Sequence, residues 1–94
     1  MGIVFIALSS GFPARAGDYT HEMESRTCLA DLLDEWGGRE APGLPEKLID
    51  RDTGYIAASV LILLNGRSVK SEDPRLTTVA PGDRLLIAPI LLGG

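Results

Sequence analysis

The sequence predicts an α+β fold, a mixed sheet of four to five strands with one main helix packed on one face. Three observations carry that expectation. Segments 3–8 and 84–91, at opposite ends of the chain, are apolar at nearly every position, the pattern of strands lying in the middle of a sheet. Between them Leu29, Leu32, Leu33 and Trp36 stand at i, i+3, i+4 and i+7, a single apolar helical stripe. Asn65-Gly66 and Pro81-Gly82-Asp83 are tight-turn signals between short apolar runs.

Taken in order, residues 3–8 read as a strand covered on both faces. Residues 9–18, with Gly11, Pro13 and Gly17, read as a loop. Residues 19–24 mix polar and apolar side chains and fit a more exposed strand antiparallel to the first. The helix is expected over 27–36, with Ser25 or Thr27 capping its start, Gly37-Gly38 supplying a left-handed turn at its end, and Asp31, Asp34 and Glu35 on its polar side. Residues 39–58, broken by Pro42, Gly43 and Pro45, read as an insertion with room for a short helix at 44–49. Strand 59–64 turns through Asn65-Gly66 into 67–69, and 76–79 precedes the Pro81-Gly82-Asp83 turn and the last strand, where Pro89 suggests that pairing ends near Ala88. The order β-β-α-insertion-β-β-β, with the two terminal strands parallel and adjacent, is the β-grasp (ubiquitin-like) arrangement.

At 94 residues the chain is read as one domain, 1–94, ending in a flexible tail at about 90–94. Its 45% hydrophobic content fits a packed globule, and its net charge of -4 with scattered cations argues against nucleic acid and for a basic docking surface on a protein partner. Cys28 is the only cysteine, so no internal disulfide forms, and the expected location is cytoplasmic. The run 3–8 is too short for a secretion signal, and no apolar stretch approaches membrane-spanning length. Met1-Gly2 is not read as a lipidation site, because Ile6 stands where Ser or Thr is needed.

The C-terminal part carries a more specific pattern: a strand ending Leu63-Leu64-Asn65-Gly66-Arg67, then Pro81-Gly82-Asp83, then Leu85-Leu86-Ile87-Ala88-Pro89, and finally Gly93-Gly94. In that order these pieces resemble the ubiquitin-like sulfur carrier family, which includes the small subunit of molybdopterin synthase, the thiamine-pathway sulfur carrier and the ubiquitin-related modifier. The resemblance spans residues 59–94 by motif and the remainder by element order. Pro89 matches a proline common before the tail in the molybdopterin synthase subunits. The apolar pair Leu91-Leu92 and the length of segment 39–58 depart from the family pattern.

The resemblance implies a chemistry centred on the Gly94 carboxylate. An adenylating, E1-like activating enzyme uses ATP to form an acyl-adenylate there, sulfur displaces AMP to leave a thiocarboxylate, and a synthase large subunit accepts the sulfur. A carboxylate is a poor electrophile, and the adenylate splits one hard substitution into two easier ones. Gly93 and Gly94, lacking Cβ atoms, pass a narrow channel. Pro89, Leu91 and Leu92 are the expected partner contacts. The chain is then a carrier and not an enzyme, with no metal and no cofactor of its own. A protein modifier joined to lysines through Gly94, or a β-grasp binding domain with an idle tail, are the competing readings.

The remaining polar residues read as structural. Cys28 is expected as a small residue beside the core, and His21 as a strand surface residue. Asp31, Asp34 and Glu35 form a solvated helix face, Asp50, Arg51 and Asp52 are loop charges, and Trp36 belongs to the core. No nucleophile–base pair, P-loop or Cys/His cluster is present.

Overall fold

The computed structural model describes residues 2–90. Strand β1 (Gly2–Leu8) pairs antiparallel with β2 (Gly17–Met23) on one side and parallel with β7 (Arg84–Pro89) on the other. β7 also pairs antiparallel with β4 (Val60–Leu64), which turns into the short β5 (Arg67–Ser68). The sheet order is β2-β1-β7-β4-β5, so the two terminal strands are adjacent, parallel and internal, as expected. A second, two-stranded ladder joins β3 (Thr27–Cys28) to β6 (Thr78–Val79).

Helix α1 (Leu29–Glu40) lies on one face of the sheet, and its stripe Leu29, Leu32, Leu33 and Trp36 is fully buried. Opposite it stand Val4, Ile6 and Leu8 of β1, Leu85 and Ile87 of β7, and Val60, Ile62 and Leu64 of β4. These positions alternate along each strand, because successive strand side chains point to opposite faces. The Trp36 and Tyr19 rings pack edge-to-face with centroids 5.2 Å apart, and the buried Trp36 Nε1–H finds no acceptor among the described residues.

The helix departs from expectation at both ends. Ser25 and Thr27 do not cap it: Thr27 is committed to the ladder with Val79, and the Cys28 Sγ accepts the Asp31 N–H at 3.4 Å. The Leu29 and Ala30 amides donate instead to the Thr77 and Pro74 carbonyls. That 73–77 turn is organised by Asp73, whose carboxylate the Arg75 guanidinium holds below the usual aspartate range. Residues 76 and 77 are outside the strand expected there, and Leu76 is largely exposed.

At the other end α1 runs through Gly37-Gly38 to Glu40. Gly37 serves close packing and not a turn, since a Cβ there would lie 2.8 Å from Pro45 Cγ, the first residue of the short helix α2 (Pro45–Leu48). The left-handed residue falls later, at Gly43 with φ +93. Leu44 and Leu48 are fully buried, so the inserted segment contributes to the core.

The two turn signals form one network. Asn65 and Gly66 take positive φ values of 53 and 83, the paired left-handed residues of a two-residue hairpin. The Asn65 side chain donates to Asp83 Oδ1 at 3.0 Å and accepts the Arg84 N–H at 2.9 Å, while Asp83 Oδ2 accepts the Ala80 N–H at 2.8 Å. Gly82 and Asp83 then reach β1, through Gly82 N–H to the Ile3 carbonyl at 2.8 Å and Phe5 N–H to the Asp83 carbonyl at 3.0 Å.

Three substitutions test this packing. Leu32→Ala should cost roughly 2–5 kcal/mol by the loss of buried contacts and the cavity left behind. Gly37→Ala should destabilise by about 1–3 kcal/mol against the rigid Pro45 ring, whereas Gly38→Ala, whose Cβ meets nothing within 4 Å, should stabilise by about 0.5–1 kcal/mol. Urea unfolding midpoints with unchanged slopes would check all three, and equal effects at Gly37 and Gly38 would show that the helices do not meet there.

Candidate functional site

Gly93, Gly94, Leu91 and Leu92 lie outside the described residues; Pro89 and the surface leading to them are within. Pro89 closes β7 opposite Val60. On the β1 side the parallel ladder runs from Phe5 N–H on the Asp83 carbonyl to Ser9 N–H on the Ile87 carbonyl at 2.9 Å. The next β7 amide in that alternation would be that of residue 89, and proline has none. β1 has ended at Leu8, so the pairing with β1 stops where the proline enters β7. On the β4 side pairing continues past Ala88, contrary to expectation: the Ile90 N–H donates to the Ser59 carbonyl at 2.8 Å. Proline therefore ends one ladder and spares the other. Gly11, at φ +110, brings the β1–β2 loop over the Pro89 ring, where a Cβ would stand 3.2 Å from Cγ.

β1 and β7 are internal but not covered on both faces. Ile3, Phe5 and Leu86 are exposed at 39%, 44% and 37%. With half-buried Ala7, Ala88, Leu61 and Leu63 they form a continuous apolar surface on the face opposite α1, as the pairs Phe5↔Arg84, Ala7↔Leu86, Leu63↔Leu86 and Leu61↔Ala88 require. Asp18, Thr20 and Glu22 of β2 border it, each paired with a face residue of β1. The Arg84 guanidinium sits 5.6 Å from the Phe5 ring centroid, a cation–π contact within the surface. The unbroken apolar runs thus have a different cause from the one read in the sequence: one face packs on the helix, and the other is an uncovered apolar patch.

His21 is not a surface residue. It points to the helix side beside Val4, is 6% exposed, and places Nε2 3.7 Å from Glu35 Oε1. Even positions of β2 face outward and odd ones inward, which the mixed composition of the strand concealed. Cys28 is half-buried at the cap. Asp31, Asp34 and Glu35 are exposed, as expected. Among the described residues there is no cluster of three or more potential metal ligands, and no helix is long and apolar enough to cross a membrane.

No protein-family model matches the chain, and no curated protein sequence does. Solved structures do. SAMP1 from Haloferax volcanii is 22% identical, with 99% of this chain and 100% of that one aligned at a TM-score of 0.76. The Haloferax volcanii HVO 2177 protein is also 22% identical, over 99% and 87% of the two chains, at 0.77. Urm1 from Trypanosoma brucei is 15% identical over 99% and 96%, at 0.74.

The chain has the β-grasp, ubiquitin-like fold.

These structures align over nearly the whole chain. Pro89 ends the middle strand of the five-stranded sheet.

The two faces of this sheet should respond differently to the same chemistry. Phe5→Thr and Leu86→Thr should change stability by less than about 1 kcal/mol, while Ile6→Thr and Ile87→Thr should each cost roughly 2–4 kcal/mol through lost packing and a buried hydroxyl. Chemical denaturation of the four variants would check this, and equal costs at neighbouring positions would mean that both faces are covered.

Proposed function

We propose that this chain is a sulfur carrier that docks through its open sheet face and reacts at the carboxylate of Gly94. The observation that carries the reading is the uncovered apolar surface of β1, β7 and β4, continuous with the end of β7. A surface of this kind is maintained for a partner, and here it borders the strand that leads to Gly93-Gly94. The partner is an adenylating, E1-like activating enzyme. The Gly94 carboxylate attacks the α-phosphorus of ATP and releases pyrophosphate. Hydrosulfide then forms the C–S bond as the acyl–oxygen bond to AMP breaks, so one carboxylate oxygen leaves with the nucleotide. A synthase large subunit next accepts the sulfur, with a molybdopterin-type precursor as the preferred acceptor.

In this reading the chain supplies position and no catalytic side chain. The apolar face sets the bound orientation, Pro89 and Gly11 define where the backbone leaves the sheet, and Gly93 and Gly94 enter the activating site. Pro89, Leu91 and Leu92 contact the partner on the way. ATP is a substrate of the activating enzyme and is not held by this chain. A second reading, protein conjugation through Gly94, draws on the names of the small archaeal modifier proteins with this fold. It shares the adenylate and differs in the nucleophile, a lysine amine in place of sulfur.

Incubation with an activating enzyme, ATP and sulfide should exchange one oxygen for sulfur, confined by peptide mass analysis to the C-terminal peptide. Replacing Gly94 with a bulkier residue should abolish the exchange and leave the fold intact. Lysine-linked adducts in place of thiocarboxylate would favour the modifier reading, and an unmodified chain with an enzyme competent on another carrier would reject both pairings.

The face itself is tested separately. Phe5→Asp should weaken association with the activating enzyme by about 2 kcal/mol or more, as a central apolar anchor does. The acidic border of β2 and the net charge of -4 predict an on-rate that falls as salt rises. Stopped-flow binding across ionic strength reads both, and wild-type kinetics for Phe5→Asp would move the docking surface elsewhere.

A further inference from the structure

Lys70 makes an unusual set of bonds. Its ammonium donates to three backbone carbonyls, those of Ala57 at 3.0 Å, Ala58 at 2.9 Å and Val60 at 2.9 Å. An ammonium has three N–H donors, so its capacity is used in full. Charge-assisted bonds of this length are stronger than neutral ones. The side chain is half-buried, and its backbone is anchored by the neighbouring Val69, which is fully buried and donates its N–H to the Ile62 carbonyl at 3.1 Å.

The acceptors belong to one tight turn, closed by the Val60 N–H on the Ala57 carbonyl at 3.0 Å. Of its four consecutive carbonyls, three converge on Lys70. The fourth, that of Ser59, accepts the Ile90 N–H at 2.8 Å. Ile90 follows Pro89 and is the last described residue before Leu91. The ammonium therefore holds the turn in the conformation whose one remaining carbonyl secures the point where the backbone departs from the sheet. Since Pro89 cannot bond toward β1, this β4-side bond is the ladder's hold on the chain beyond residue 89.

We propose that Lys70 is a positioning residue for reaction at the C-terminus, acting through the 57–60 turn and the Ser59–Ile90 hydrogen bond to set the direction in which the tail leaves the body. This rests on the carrier reading above. It separates two tasks: the open face determines how tightly the activating enzyme is bound, and the Lys70 turn determines how often the bound chain presents its carboxylate correctly. Small misplacements of a reacting group are costly, by up to about a hundredfold for an error on the order of 1 Å.

The test compares wild type with Lys70→Met, which keeps the length of the stem and removes the ammonium. Amide hydrogen exchange at Ile90 should accelerate at least about tenfold, with Ile62 and Ile87 unchanged, as expected for a local opening. Steady-state adenylation should lose about tenfold or more in kcat at nearly constant KM, the pattern of lost orientation. Aminoethylation of Lys70→Cys in a Cys28→Ser background rebuilds an ammonium at the same reach, and should restore both the protection and kcat. Wild-type protection at Ile90 in Lys70→Met, protection lost throughout the sheet, a change in KM alone, or no recovery on aminoethylation would each overturn the assignment. Should wild type itself not be adenylated, the carrier reading falls, and the exchange at Ile90 still decides whether Lys70 holds the turn.

Discussion

The parallel pairing of β1 with β7 is the constraint to which the other elements answer. It joins residues about eighty positions apart, so its loop-closure cost must be offset by the packing of the intervening chain. Its register, Phe5↔Arg84 through Leu8↔Ile87, brings Val4, Ile6 and Leu8 into one layer with Leu85 and Ile87. Parallel strands need a crossover, and α1 lies within it, covering that layer. The Pro81-Gly82-Asp83 turn pins the register at its start through Ile3 and Phe5. Gly2 belongs to the same arrangement: a Cβ there would overlap Pro81, so the residue at the start of β1 is small because the turn before β7 lies against it.

The same pairing makes the molecule one-sided. One helix covers one face, and no other element of the described chain covers the second. A sheet in this position usually alternates apolar and polar residues, and β2 does so, with Asp18, Thr20 and Glu22 outward and Tyr19, His21 and Met23 inward. β1, β7 and β4 do not alternate. Their outward positions hold Ile3, Phe5, Leu86, Leu61 and Leu63, side chains that would favour association if left bare. The polar strand forms the border and the apolar strands form the centre, which is the layout of a protein interface.

Much of this architecture is legible in the sequence because the signals are local and redundant. Leu29, Leu32, Leu33 and Trp36 specify a helix and its inner face together, and Asn65-Gly66 specifies both a turn and its hand. What misleads is any residue whose cause lies in a distant element. Gly37-Gly38 reads as a helix stop, but Pro45 dictates Gly37 from the next helix. His21 reads as exposed because its burial depends on where Glu35 and α1 cross β2. The uninterrupted runs at 3–8 and 84–91 correctly mark internal strands, yet periodicity cannot tell burial within the chain from an apolar face left for another molecule. Lys70 gives no sequence signal at all, since its partners are backbone carbonyls and carry no residue identity.

Segment 39–58 illustrates how such non-local causes connect. Read alone it is a proline-rich interruption between a helix and a strand. In the fold, Leu44 and Leu48 enter the core, Gly37 lets α2 approach α1, and the Leu48 carbonyl accepts the Ala57 N–H at 2.9 Å. Ile49 bridges to Ile56, closing the loop between them. The segment thereby delivers Ala57 to a defined place, and the 57–60 turn begins there. Its carbonyls are shared between Lys70, arriving from the far side of the β4–β5 hairpin, and Ile90, at the end of the central strand. Three parts of the chain thus meet at one turn. Because the core anchors two of them, through Leu48 and Val69, the position of the third is inherited from the packing of the whole domain.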